Sequence, residues 1–272
     1  MTAPRPRIAV VGHVEWVLFG HAVAPPVAGQ IIHLTEPFEE PAGGGAVAAI
    51  TLARAGADVT FFTALAEDAE GVATRTRTDR EGIDLRAASR PGRQARAVTI
   101  LDDHGDRTII VSQPNTYPRS DDELDWSDLS NCAAVYATCA EPSAIVAARA
   151  AGRLVCSARQ LNALIASGVR ADVIVGSGHD QGEQVDASVI GVYTDALVLT
   201  SGERGGCWIT ASGECRWDAA SLPSDRHDTY GAGDCFASGL TYGLAVGDTL
   251  AAAVQRAAEW GAAAVCRRGP YG

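Results

Sequence analysis

Asp228-Thr229-Tyr230-Gly231-Ala232-Gly233-Asp234 stands directly before a stretch that places Phe236, Leu240 and Leu244 on one face of a helix. Two glycines around an alanine let backbone approach a ligand with no side chain in the way. They also turn free amides and the positive end of the helix toward an anion. Such a nest suits the charge that builds on a transferring phosphoryl group, and Asp234, in the first helical turn, is placed to accept a hydroxyl proton. A purely structural account has Asp234 capping the helix and the glycines allowing a turn. Seven residues of this kind in one run are far more specific than an isolated Gly-x-Gly.

Outward from this run, strands alternate with helices. Residues 7–12 form a compact apolar strand, and 43–56 open on three glycines and continue as a helix with Ala46, Ile50 and Ala53 on one face. Strands are expected at 59–65, 133–138, 154–157, 172–176 and 196–200, and helices at 142–151, 158–167, 181–191, 232–245 and 248–266. Residues 97–101 and 108–111 flank Asp102-Asp103-His104-Gly105-Asp106 as a β-hairpin. A second hairpin, 207–210 with 214–217, turns at Ser212-Gly213. This rhythm implies one α/β domain over residues 1–272, with a mainly parallel sheet covered on both faces. The early hairpin and the polar, proline-rich stretch 15–40 fall outside it, and together suggest a small β lid from about 14–40 and 94–113. In such sheets ligands bind where strand ends meet glycine-rich turns, here 41–45 and 228–234.

Composition narrows the chemistry. The formal net charge is −11, against nucleic-acid binding. An anionic ligand must therefore be held by local devices. All 22 basic side chains are arginine; with no lysine, a Walker-type phosphate loop and Schiff-base chemistry are excluded. The 7 cysteines are scattered without C-x-x-C spacing, which argues against a disulfide framework or a zinc site. No stretch of eighteen apolar residues occurs, and the short, proline-bearing start does not read as a signal peptide, so a cytoplasmic location is expected. A G-x-G-x-x-G after the first strand is missing, which disfavours a nicotinamide-dependent oxidoreductase.

The run 228–234, continued by Cys235-Phe236-Ala237-Ser238-Gly239, resembles the second signature of the ribokinase/PfkB carbohydrate kinases. Gly43-Gly44-Gly45 with Leu52-Ala53-Arg54-Ala55-Gly56-Ala57 resembles the first. Thr200-Ser201-Gly202-Glu203-Arg204-Gly205-Gly206 is similar to that family's nucleotide-side turn, and Gly105-Asp106-Arg107-Thr108 to its lid hairpin. The resemblance implies a ribokinase-like three-layer α/β/α sandwich with a β lid. It implies a kinase moving the γ-phosphoryl of Mg·ATP to a hydroxyl of a sugar, nucleoside or related polyol. Asp234 would be the base, Gly231, Ala232 and Gly233 the anion hole, and Asp228 a residue near metal and phosphates. Thr200, Gly202, Arg204, Gly205 and Ser177 would border the nucleotide, and His13, Glu15, Gly43, Gly44, Val47 and Arg107 the substrate. Asp180 and Glu183 would stand on the Mg²⁺ side, with K⁺ a further candidate ion. The expected partner is a small sugar or nucleoside, with no nucleic acid and no membrane; a homodimer through the lid is a further candidate.

Several positions depart from that family's pattern. Its opening strand often ends Gly-x-x-Asn-x-Asp, whereas Gly12-His13-Val14-Glu15-Trp16-Val17 puts Val17 at the sugar-binding Asp. The Asn of the first signature falls on Val47. The metal-side Asn-x-x-Glu appears as Ser177-Gly178-His179-Asp180, with Glu183 close by. Losing two polar contacts disfavours ribose or fructose as the acceptor. It also leaves a second reading, a non-catalytic nucleotide- or metabolite-binding member of the same fold.

Overall fold

The computed structural model describes residues 5–103 and 106–272. The start of the chain read for a signal peptide lies in part, and the expected His104-Gly105 turn wholly, outside the described residues.

Strand β1 (Arg7–Gly12) is apolar from Ile8 to Val11, and all four of those side chains are fully buried. Ile8 and Val10 pack into one cluster, Ala9 and Val11 into another, as period-2 alternation demands of a strand covered on both faces. Around it lie β4 (Asp58–Ala66), β5 (Asp84–Arg90), β8 (Ala134–Thr138), β9 (Leu154–Ser157), β10 (Ala171–Ser177) and β11 (Thr194–Thr200), paired in parallel. A hairpin of β12 (Gly206–Thr210) and β13 (Gly213–Trp217) adds two antiparallel strands at the β11 edge. The described order is β13-β12-β11-β10-β9-β8-β1-β4-β5.

Helices α1 (Gly43–Arg54), α5 (Ala232–Ala245) and α6 (Leu250–Val265) cover one face, and α3 (Pro142–Ala148) and α4 (Leu161–Ser167) the other. This is a three-layer α/β/α sandwich. Close approach of α5 to α6 relies on small residues: a Cβ at Gly243 would stand 2.8 Å from the Cα of Ala253. Helix α2 (Ala69–Arg80) packs beside β4 and β5, capped by Asp68, whose carboxylate accepts from the Gly71 amide at 2.9 Å.

A second sheet has the order β3-β2-β6-β7, built from β3 (Thr35–Ala42), β2 (Glu15–His21), β6 (Arg96–Leu101) and β7 (Arg107–Gln113). Along β2, Glu15, Val17 and Phe19 are buried while Trp16 and Leu18 are half-exposed, so one face of this lid looks toward the α/β body. Phe19 meets the ring of Tyr230 edge-on at 4.7 Å.

The helix expected at 181–191 is not formed. The segment holds two short 3₁₀ turns, Gln181–Glu183 and Ala187–Val189, with extended backbone at Gln184 between them. Asp180 and Asp186 each accept a hydrogen bond from the amide two residues on, so side-chain capping restarts the backbone before a helix propagates.

Candidate active site

Strand order reverses at β1, which lies between β8 and β4, the place where sheets of this kind bind ligands beyond the carboxyl ends of their strands. Gly12 pairs in register with Thr138 there. A Cβ on Gly12 would fall 2.6 Å from Thr138 Cγ2, and one on Gly45 2.6 Å from the His13 carbonyl oxygen. Bare backbone at both positions lets α1 begin directly above the strand end. Gly43, at φ +81°, makes the turn into that helix, and its amide donates to the Tyr230 hydroxyl at 3.3 Å. A Cβ on Gly44 would lie 3.0 Å from both Asp234 Oδ1 and Thr138 Oγ1. Gly44, Thr138 and Asp234 thus converge on one spot.

The second glycine run arrives from the opposite side. Gly231 takes φ +74° at the N-cap of α5, and a Cβ there would stand 3.1 Å from Val47 Cγ1. Asp228 is buried; its oxygens accept from the Tyr230 amide at 2.8 Å and the Gly269 amide at 2.7 Å. It pins the turn to the C-terminal segment. No side chain caps α5, and the amides of Gly233 and Asp234 have no acceptor among the described residues. Nothing lies within 4 Å of a Cβ built on Gly233. Bare donors therefore face open space at the positive end of a 14-residue helix.

Asp234 is half-buried, and desolvation pushes its carboxyl from 3.8 up to about 7. Glu183 and Glu15 push in the same direction, while Arg107 and Arg159 pull against them. The side chain therefore feels charges from the lid, from the β1 end and from the β10 end together. Tyr136, buried beneath, is raised well above its ordinary value by burial and then by Asp234.

Lid residue Arg107 reaches across the cleft, donating to the carbonyl oxygen and hydroxyl of Thr229 at 3.1 and 3.0 Å. His13 and Glu15 are each 8 % exposed. Burial lowers the His13 pKa, so its neutral ring donates from Nδ1–H to the Thr138 carbonyl at 3.3 Å. Val17 and Val47 are fully buried in the apolar cluster.

At the ends of β10 and β11, Ser177 lies in register with Thr200. The Ser177 hydroxyl accepts from the His179 and Asp180 amides. Gly202 and Gly205 take positive φ around a 3₁₀ turn, and a Cβ on Gly205 would collide with the Trp217 backbone. Arg204 stands 2.7 Å from His179 Nε2, beside Asp180. These residues build a rim next to Asp180 and Glu183.

Asp180 and Glu183 share Arg159, at 2.6 and 2.9 Å. Their other oxygens accept from the Gly182 and Ser177 amides. No group of three or more His, Cys, Asp or Glu side chains suited to a metal occurs among the described residues. The pair fits a hydrated Mg²⁺ held through its waters, which asks only for hard oxygen acceptors; it does not fit an ion coordinated wholly by protein. Arg159 escaped the sequence reading because it falls in a stretch with an ordinary helical pattern. Thr138, Tyr117 and Asn115 also border the cleft and carry no local motif. The Tyr117 ring sits 5.6 Å from His13, edge-on to it.

A family model described as pfkB family carbohydrate kinase matches residues 5–162 and 171–272. The chain belongs to this pfkB family of carbohydrate kinases. Comparison with curated protein sequences returned no match. Solved structures share the ribokinase fold. A Thermotoga maritima ribokinase aligns at TM-score 0.77 and 17 % identity, over 98 % of this chain and 95 % of that one. An Arabidopsis thaliana ribokinase complexed with ribose and ATP gives 0.73 and 17 %, over 98 % and 94 %. A candidate ribokinase II from Escherichia coli with ATP and Mg²⁺ gives 0.76 and 19 %, over 98 % and 94 %. At these identities the likeness speaks for the fold alone, and in this pfkB-family chain Val17 and Val47 lie in the core. Among the described residues no helix is long and apolar enough to cross a membrane.

Proposed function

We propose that the chain is an ATP-dependent phosphotransferase that acts on an alcohol of a sugar, nucleoside or related polyol. The observation that carries this reading is the Asp234 carboxyl, raised to about 7 beside the unpaired Gly233 and Asp234 amides. A carboxylate of that basicity suits proton abstraction near neutral pH. The ATP and Mg²⁺ in the related crystal structures support the donor assignment. When bound, they supply the transferable phosphoryl group and a counter-charge. Asp234 takes the acceptor hydroxyl proton at its carboxylate. The Gly233 and Asp234 amides face the negative charge on the phosphoryl oxygens. Asp180 and Glu183, oriented by Arg159, would hold Mg²⁺ through its waters. Arg107 closes the lid edge over the Thr229 turn.

Incubation of the purified chain with Mg·ATP and a panel of alcohols, with phosphorylated product read by mass spectrometry, tests the proposal. Product from at least one alcohol is expected; ATP binding with no product from any member rejects it.

Arg107→Ala removes two bonds to Thr229 and a positive charge near the base. It is expected to lower kcat/KM about tenfold and move the acid limb of the kcat/KM profile to higher pH, because Arg107 pulls the Asp234 pKa down. The residue is exposed, so the melting temperature should change little. An unmoved acid limb would show that the guanidinium does not act on the base.

The lid also carries the proposed subunit contact. β7 is an edge strand, and its Ile109, Ile110 and Val111 are 43, 49 and 56 % exposed. Consecutive apolar residues on an open edge favour pairing with a second copy. Light scattering is expected to give a dimer mass, and Ile110→Lys a monomer; a monomeric parent chain excludes the contact.

A further inference from the structure

The acceptor side of the cleft is short of hydrogen-bond donors. Glu15 is the sharpest case. It is 8 % exposed, and among the described residues its carboxylate has neither an ion pair nor a hydrogen-bond partner. The alternation of β2 puts it on the same inward face as Val17 and Phe19, whereas Trp16 turns outward to donate to Glu39 at 3.0 Å. Its charge is felt by Asp234, His13, Tyr117 and Tyr230, which places it within the cleft.

Neighbouring polar atoms repeat the pattern. The Asn115 side-chain carbonyl is buried with no partner. His13 spends its ring N–H on Thr138, so Nε2 is left as an acceptor. The nearby arginines are engaged elsewhere, Arg159 by Asp180 and Glu183 and Arg107 by Thr229. Val17 and Val47 are apolar and fully buried. A carboxylate on a residue this enclosed, with no counter-charge from the protein, is a ready acceptor for a ligand that brings charge and donors.

We infer that the acceptor is an alcohol that also carries a basic or N–H-rich nitrogen group, which seats on Glu15 with the Asn115 carbonyl and His13 Nε2 as further acceptors. This inference rests on the kinase reading and narrows its substrate class. A neutral polyol offers hydroxyl hydrogens to the same acceptors but leaves the Glu15 charge unmatched.

Calorimetry on the full chain in the presence of ADP, with matched pairs of ligands, tests it: glucosamine against glucose, galactosamine against galactose, cytidine against uridine. At least one nitrogen-bearing member should bind at least about thirtyfold more tightly than its partner, the scale for a desolvated charge contact. Glu15→Gln should erase that margin without lowering the melting temperature, since the isosteric amide forfeits no side-chain hydrogen bond or ion pair of the folded protein. The inference falls if no nitrogen-bearing member outbinds its partner, or if Glu15→Gln keeps the margin. Product formation separates the two readings. A nitrogen preference in binding with no phosphorylated product from any alcohol upholds the Glu15 assignment and rejects the kinase; phosphorylation of neutral sugars without such a preference does the reverse.

Discussion

Asp234→Asn is expected to lower turnover by at least about a hundredfold, the range for loss of a positioned base. The amide keeps the shape of the carboxyl, so Gly44 and Thr138 still pack against it. What disappears is the group that accepts the proton. In the parent, kcat/KM should rise with pH up to about 7 and then level, because the carboxyl titrates there and only the ionised form is a base. The variant should lack that limb. Stability has the opposite sign. The folded-state pKa lies above the ordinary 3.8, so the folded protein binds the proton more tightly than the unfolded chain between about pH 4 and pH 7. The parent therefore loses stability as pH rises through that window. Asn removes the dependence, and the variant should melt at or above the parent temperature at pH 8. Parent-like turnover by Asp234→Asn would exclude the residue as the base.

Two alanine substitutions in the same turn are expected to separate folding from phosphoryl binding. Gly231 sits at φ +74° with Val47 already close. Gly231→Ala should therefore cost about 1–2 kcal/mol from the left-handed backbone alone and also slow turnover. Gly233 has no positive φ, and a Cβ there meets nothing. Gly233→Ala should fold as well as the parent or better, since alanine is favoured over glycine in a helix by up to about 1 kcal/mol. Its methyl group nonetheless occupies the space before the free amides, where the transferring group must come. An ångström-scale misplacement can cost about a hundredfold in rate, and a loss of that order is expected with an unchanged melting curve. Full activity of Gly233→Ala would mean the anion lies elsewhere.

The parts legible in the sequence were those carried by local pattern. β1 announced itself as an apolar run ending in glycine, and α5 spans the range that its periodicity predicts, Ala232–Ala245. α2 and β5 went unread because α2 is polar, rich in Arg and Thr, and β5 is only half-buried, so neither shows a clean apolar period. The 181–191 segment misled in the opposite direction: its composition tolerates a helix, but two aspartates cap separate turns.

From residue order alone came the α/β rhythm, the pfkB signature and the place of Asp234 at a helix start, since each depends on neighbours a few positions apart. The tertiary structure alone decided which charges surround that carboxyl. Glu15, Arg107, Arg159 and Glu183 are far apart along the chain, yet all four act on Asp234. It also decided that Glu15 is buried without a partner while Asp180 and Glu183 are paired. Burial and Coulomb coupling depend on distance and desolvation in space, and no local spacing encodes them.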